Sequence, residues 1–332
     1  MNITENDQSG NDDKALEALF RHASTRKRAP LEVETEVREE LHSEWQALTR
    51  RRRIRRHVGG WAIAASVVLA LFISVNQFRQ PDPAINGPVL ATVDKRAGDI
   101  FIQNAPGETS RLPADVQLHA GSELSTIKDA RIALAWVSGE SLRMDENSRV
   151  SLISNTEISL LSGKIYIDSA GSGNQGRALI INTPSGPVSH IGTRYITTVS
   201  GDEVTVSVRE GKVSIGSGDG ATIAVQGQRL HLADNGQHSA TAIPIYGEEW
   251  QWTELIAPQF NVDGRTMREF LDWVGHETGR KIEYASAQSE LAAAQTRMHG
   301  NIDLEPLRAM ELMLQTSDLT AVVNEGVILV SH

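Results

Sequence analysis

REGKVSI, Arg209–Ile215, alternates polar and apolar residues after a glycine, and LSGKIYI, Leu161–Ile167, carries the same pattern 48 residues earlier. Period-two alternation places successive side chains on opposite faces of a strand. Outward from these two segments the same rhythm recurs in ARIALAW (Ala130–Trp136), RVSLIS (Arg149–Ser154), KIYIDS (Lys164–Ser169) and EVTVSV (Glu203–Val208). Gly, Ser, Asn and Asp turns separate these strands at short intervals, and no helical period interrupts them. Residues 89–242 therefore read as an all-β domain, either a sandwich or a solenoid-like stack. The internal echo favours stacking.

Upstream the texture is different. Val58–Phe78 is an uncharged run of 21 residues, preceded by Arg50, Arg51, Arg52, Arg53, Arg55 and Arg56. As a helix it would be about 31 Å long, which matches a bilayer core of about 30 Å. The basic flank predicts a cytoplasmic N-terminus and an exported C-terminal part. An h-region of a signal peptide is shorter and lies nearer the start of a chain. The sequence expectation is thus a multi-domain membrane protein. It comprises a cytoplasmic helical segment (1–57), one transmembrane helix (58–78), a linker (79–88), the β domain and a C-terminal α+β module (243–332). The expected location is the bacterial inner membrane, single-pass, with the N-terminus cytoplasmic and the C-terminus periplasmic.

Charge and composition narrow the function classes. The 332-residue chain has a net charge of −10 and no cysteine, so neither a disulfide nor a lipoprotein anchor is available. Residues 1–57 carry 12 Lys+Arg against 11 Asp+Glu, while the part after Phe78 carries 20 against 31. An acidic outer part argues against direct binding of nucleic acid there. The inner segment places Leu16, Leu19, Phe20 and Ala23 on one helical face. A second helix, opening at Pro30, repeats Val33, Val37, Leu41, Trp45 and Leu48. Such stripes pair with each other, with a second copy, or with a cytoplasmic protein for which Leu16, Leu19, Phe20, Val37, Leu41 and Trp45 form the docking face.

The C-terminal segment mixes periods. Trp250 and Trp252 lead to an expected strand near Phe260–Val262. A helix follows, with Thr266 and Glu269 as a capping box and Gly279 as C-cap. KIEY (Lys281–Tyr284) and RMHGNI (Arg297–Ile302) read as strands, Pro306 opens a helix, and a hairpin turned at Asn324–Gly326 closes a βαββαβ module.

Catalytic chemistry is hard to place. GSGNQG, Gly171–Gly176, matches a dinucleotide glycine pattern in form but precedes the strand-like ALIIN rather than a helix. The ten histidines include no His-x-x-x-His pair, and His190 and His299 read as hydrogen-bonded strand residues rather than metal ligands. Asp145–Glu146 and Glu248–Glu249 read as exposed turn or linker charges. No site for a cofactor or metal is expected, and an enzyme is the minority reading.

TPSGPVSHIGTRY (Thr183–Tyr195) followed by VSVREGKVSI (Val206–Ile215) resembles the signature of the FecR-like family of transmembrane anti-sigma regulators. The matching positions are Thr183, Pro184, Gly186, Gly192, Thr193, Arg194, Tyr195, Glu210 and Gly211. Glycines there permit tight turns, and Arg194 can pair with Glu210 across the sheet. The C-terminal module separately resembles the short N-terminal domain of secretins and TonB-dependent receptors, through Gly300, Pro306 and Ala309. Such modules pair through exposed strand edges. Together the resemblances imply a transducer between two partners, controlling iron or nutrient uptake. One is the signalling domain of an outer-membrane TonB-dependent transducer, and the other an extracytoplasmic-function sigma factor held by residues 1–57. The alternative is a membrane-anchored periplasmic scaffold or assembly protein of an envelope or secretion complex.

Overall fold

The computed structural model describes residues 87–105, 107–169, 179–233, 235–300 and 302–332. Within them the chain opens with β1 (Val89–Ala97), β2 (Ile100–Ala105), β3 (Glu108–Arg111), β4 (Gln117–His119), β5 (Glu123–Thr126) and β6 (Arg131–Trp136). Then come β7 (Ser141–Met144), β8 (Arg149–Ser154), β9 (Glu157–Asp168) and β10 (Ile180–Thr183). The strands β11 (Gly186–Ser200), β12 (Glu203–Ile215), β13 (Thr222–Val225), β14 (Gln228–Leu232) and β15 (His238–Ala242) complete the β region.

All fifteen belong to one continuous sheet that divides into two ladders. The first runs β4-β1-β6-β7-β9-β11-β12-β14-β15, using the second halves of β9 and β11 and the first half of β12. The second runs β3-β2-β5-β8-β9-β10-β11-β12-β13, using the other halves of the same three strands. Leu134, Leu142, Ile167 and Val206 from the first ladder share a single core with Leu152, Ile158, Ile181 and Val213 from the second. Of the two architectures expected, the result is a sandwich, with layers that share three strands.

The echoed glycines mark where these strands change ladder. Gly163 in β9 and Gly211 in β12 have φ of +87° and +80°, and the β11–β12 register slips between Ile191 and Arg194, beside Gly192 at +56°. These are left-handed conformations that side chains resist. At Gly163 a Cβ would also lie 2.4 Å from the Ser148 Cα, so the crossing is closed to any larger residue.

The C-terminal part contains α1 (Glu248–Leu255), α2 (Met267–Thr278), β16 (Lys281–Tyr284), α3 (Ala287–Gln295), α4 (Pro306–Leu314), β17 (Thr320–Asn324) and β18 (Val327–Ser331). Its sheet has the order β16-β18-β17, with β16 parallel and β17 antiparallel to β18. Met267, Phe270, Leu271, Val274, Ala309, Met310, Ile328 and Val330 form a second core. Helix α2 starts at a capping box in which the Glu269 amide donates to the Thr266 hydroxyl and the Glu269 carboxylate accepts from the Thr266 amide. Thr266→Ala is expected to cost about 1 kcal/mol, read as a lower midpoint of urea unfolding; an unchanged midpoint would remove the cap from the stability account.

Three expectations are corrected. The fold class of a multi-domain membrane protein with one transmembrane helix is not what the described structure presents. It is mostly β, and among the described residues no helix is long and apolar enough to cross a membrane. The expected span Val58–Phe78, the Arg50–Arg56 cluster and the docking face Leu16, Leu19, Phe20, Val37, Leu41 and Trp45 lie outside the described residues. Second, the C-terminal part is not βαββαβ. Phe260–Val262 forms no strand: Val262 enters the second core and Phe260 packs against both Phe270 and Trp273, which also touch each other, so their alternation serves packing against α2. Of RMHGNI only Arg297 makes a single bridge, to Thr266. Third, helices α1 and α3 appear where none was read. The signal for α3 was present in AQSELAAAQ behind Ser286, whose hydroxyl accepts from the Ser289 amide.

Candidate functional site

The β sandwich and the C-terminal helices form one compact unit spanning Ala84–His332, and the seam between them is where charge is concentrated. A helix leaves its last carbonyls without intrahelical donors and carries partial negative charge at that end. The last turn of α2 meets three arginines from β7, β11 and β12. Arg143 grips both carboxylate oxygens of Glu277, at 2.7 and 3.1 Å, and donates to the Thr253 carbonyl at 2.8 Å. Arg209 donates to the Glu277 carbonyl at 2.8 Å and to the Ile245 carbonyl at 3.0 Å. Arg194 donates to the His276 carbonyl while holding the Glu210 carboxylate at 2.7 Å.

Cross-strand register explains how these residues meet. Arg143 pairs with Tyr166, Tyr166 with Ile196, and Ile196 with Ser207, a row on the face opposite the sandwich core. Their neighbours Leu142, Ile167, Tyr195, Val206 and Val208 point into that core. The outer row is covered by Trp250 and Trp252 of α1, which form a small cluster with Tyr166 and Ile196. The Arg209 guanidinium lies 4.5 Å from the Trp250 ring centre, and that of Arg143 lies 5.0 Å from the Tyr166 ring. Both arginines are fully buried.

Electrostatics here are set by burial and pairing together. Burial opposes the Arg143 charge, yet the Glu277 carboxylate outweighs it and holds the guanidinium above its ordinary value. Arg209 has no carboxylate in hydrogen-bonding contact, and burial pulls it below its ordinary value. The Tyr166 hydroxyl is pushed up to about 12, by burial first and then by Asp168. The Asp168, His276 and Glu277 side chains come close enough together for metal ligation. Their donors are already engaged: Glu277 by Arg143, and His276 Nε2 by Asp168 Oδ2 at 2.6 Å. With three guanidiniums on the same helix end, the cluster suits a helix carboxyl end rather than a cation.

The signature positions fall into place around this seam. Thr183 closes the β10–β11 turn by donating to the Gly186 carbonyl at 2.6 Å, with Pro184 in the turn itself. Gly192 and Gly211 occupy the ladder crossing, and a Cβ on Gly211 would sit 2.4 Å from the Thr193 methyl. Thr193 exchanges backbone and hydroxyl hydrogen bonds with Ser169. Tyr195 is buried with its hydroxyl 3.0 Å from His190 Nδ1, and burial raises the phenol and lowers the imidazole. His299, by contrast, is exposed beside Asp263 and lies outside any strand. Of the signature residues it is Arg194 that bonds to a C-terminal helix, with its guanidinium steadied by Glu210.

Residues 122–214 match the FecR protein family. This is a FecR domain. All three joint arginines and the entire signature lie within the matched span. Two crystal structures of a candidate anti-sigma factor from Parabacteroides distasonis ATCC 8503, at 1.65 and 2.50 Å resolution, resemble the chain with 12% and 11% identity. Their TM-scores are 0.35 and 0.34, over 63% of this chain and 97% of theirs, a likeness too loose to carry an argument. No curated protein matches the sequence.

Sequence reasoning reached Arg194 and Glu210 but missed Arg143, Arg209, Glu277 and Trp250. On a strand with one buried face, Arg143 and Arg209 sit at positions that read as solvent-facing. The available signal was the presence of two closely spaced tryptophans, Trp250 and Trp252, directly after an acidic pair. Asp145, read as an exposed turn charge, is instead buried and pairs with Arg131 at 2.7 Å. Glu248 and Glu249 form the acidic first turn of α1, where the helix dipole favours them, and Glu249 pairs with Arg229. Arg194→Ala is expected to cost about 1–2 kcal/mol, since it removes one charged hydrogen bond and one half-exposed ion pair. Chemical unfolding measures this, and a loss above that of Arg143→Ala would contradict the smaller weight given to the half-exposed pair.

Proposed function

We propose that the protein is a regulator of the anti-sigma kind that relays a signal between two partners and carries out no chemistry of its own. The observation behind this reading is the FecR domain itself, locked through Arg143, Arg194 and Arg209 to a second module. Such a body passes on a binding event as a change in position or order, not as a product. On the input side, the C-terminal module offers β17, an edge strand whose sequence TAVVN carries no charge. A groove of about 730 Å³ beside it is lined by Leu307, Met310, Leu314, Val322 and Val323. An unguarded edge of this type accepts a partner's strand, and we assign it to the signalling domain of a TonB-dependent transducer in iron or nutrient uptake. On the output side, residues 1–57 hold an extracytoplasmic-function sigma factor through Leu16, Leu19, Phe20, Val37, Leu41 and Trp45.

The test is co-purification from cells expressing the full chain or a chain lacking residues 1–49. The full chain is expected to bring down a sigma factor, and the shortened chain none. If the full chain recovers no sigma factor, the reading fails. If deletion leaves the biological output intact, the scaffold alternative takes its place.

A further inference from the structure

Beside the arginine joint, a cleft of about 700 Å³ opens between α1 and the outer face of the first ladder. Its floor spans several strands: Arg131 comes from β6, Asp145 follows β7, Lys164 lies on β9 and Arg229 on β14. The opposite wall is α1, where Glu248 and Gln251 stand exposed. The charges of the floor are already paired. Arg131 donates Nε to Asp145 Oδ1 at 2.7 Å, and the Lys164 ammonium lies 3.6 Å from the other Asp145 oxygen. Arg229 holds Glu249 of α1, which also accepts from the Ser207 hydroxyl at 2.8 Å. A guanidinium or an ammonium offers more N–H groups than one such contact takes. Arg131 spends only its Nε, Arg229 its Nε and Nη2, and at 3.6 Å Lys164 makes no hydrogen bond at all. The cleft therefore has neutralised charge and unspent donors on one wall, with a carboxylate and an amide on the other.

That combination selects the chemistry of a ligand. An anion would find each cation already matched, and a metal or organic cation would find Asp145 and Glu249 taken. Either must break a partly buried ion pair, which costs more than the new contact returns. An extended peptide gains nothing from its backbone here, because β6, β9 and β14 are flanked by strands on both sides. A neutral polyol breaks no pair: each hydroxyl both donates and accepts, so it can use the spare N–H groups together with Glu248 and Gln251. Ile243, Pro244 and Leu255 add apolar surface for the C–H face of a sugar ring. We propose that this cleft is a carbohydrate site, taking a neutral sugar of about two or three rings, the size its volume admits. A sugar held by both walls ties α1 to the sheet, and α1 is the helix that lays Trp250 on Arg209. Occupancy thus stiffens the joint. The inference adds a small-molecule input to the proposed relay and stands or falls independently of either protein partner.

The test is binding of the full chain to an array of neutral and acidic di- and trisaccharides, followed by titration calorimetry with the strongest neutral sugar. At least one neutral sugar is expected to bind. The double variant Glu248→Ala with Gln251→Ala is expected to weaken it about tenfold or more, through the hydrogen bonds lost from the α1 wall. Both residues are exposed, so these substitutions spare the core. Lys164→Gln is expected to weaken binding from the floor. Hydrogen exchange with the sugar present should slow in the peptide covering 248–257 and stay unchanged in β3, at the far edge of the other ladder. The proposal is overturned if no neutral sugar binds, or if binding is indifferent to both the double variant and Lys164→Gln. Preference for acidic sugars, or for short peptides offered in parallel, overturns it as well.

Discussion

Arg143→Ala is expected to destabilise the Ala84–His332 unit by about 3–5 kcal/mol, because it strands the Glu277 carboxylate in the interior. Glu277 is 4% exposed, and its two oxygens are held by Arg143. The alanine also frees the Thr253 carbonyl and removes the cation over Tyr166. The double variant Arg143→Met with Glu277→Leu is expected to recover most of that loss, since apolar residues of similar volume remove both desolvation costs together. Equilibrium unfolding in guanidinium of the two singles and the double gives the coupling directly. Equal losses in single and double variants would mean that Arg143 matters through packing alone.

The second large effect concerns the ladder crossing. Gly211→Ala is expected to cost about 3 kcal/mol or more. It pays for a left-handed conformation at φ +80° and also drives its Cβ to 2.4 Å from the Thr193 methyl and 2.7 Å from the Gly192 carbonyl. Gly192→Ala isolates the first term. It too is left-handed, at +56°, but its Cβ would meet open space, so about 1 kcal/mol is expected. Thermal unfolding of the pair separates conformation from collision. Similar midpoints would show that the strands around Thr193 can move aside.

How much of this was legible follows from what each residue sees locally. The strands centred on Val206, Val213, Ile165 and Ile167 were readable because period two is a local property, and their glycine echo marked real crossings. The capping box at Thr266 and Glu269 and the Gly279 C-cap were readable for the same reason, since each spans only a few residues. Phe260–Val262 and Arg297–Ile302 misled because alternation also arises when a loop packs against a helix. The joint was illegible except through Arg194: Arg143 and Glu277 are separated by 134 residues, and nothing in either neighbourhood announces the other. Buried ion pairs are properties of a fold, not of a segment.

The sharing of β9, β11 and β12 between both ladders bears on how the FecR domain can be taken apart. In an ordinary sandwich a cut between sheets leaves two pieces that each retain one whole layer. Here a cut at the Gly201–Asp202 turn between β11 and β12 leaves both fragments with torn edges on both layers. Neither half therefore owns a complete hydrophobic face, so split-protein complementation should fail across that turn.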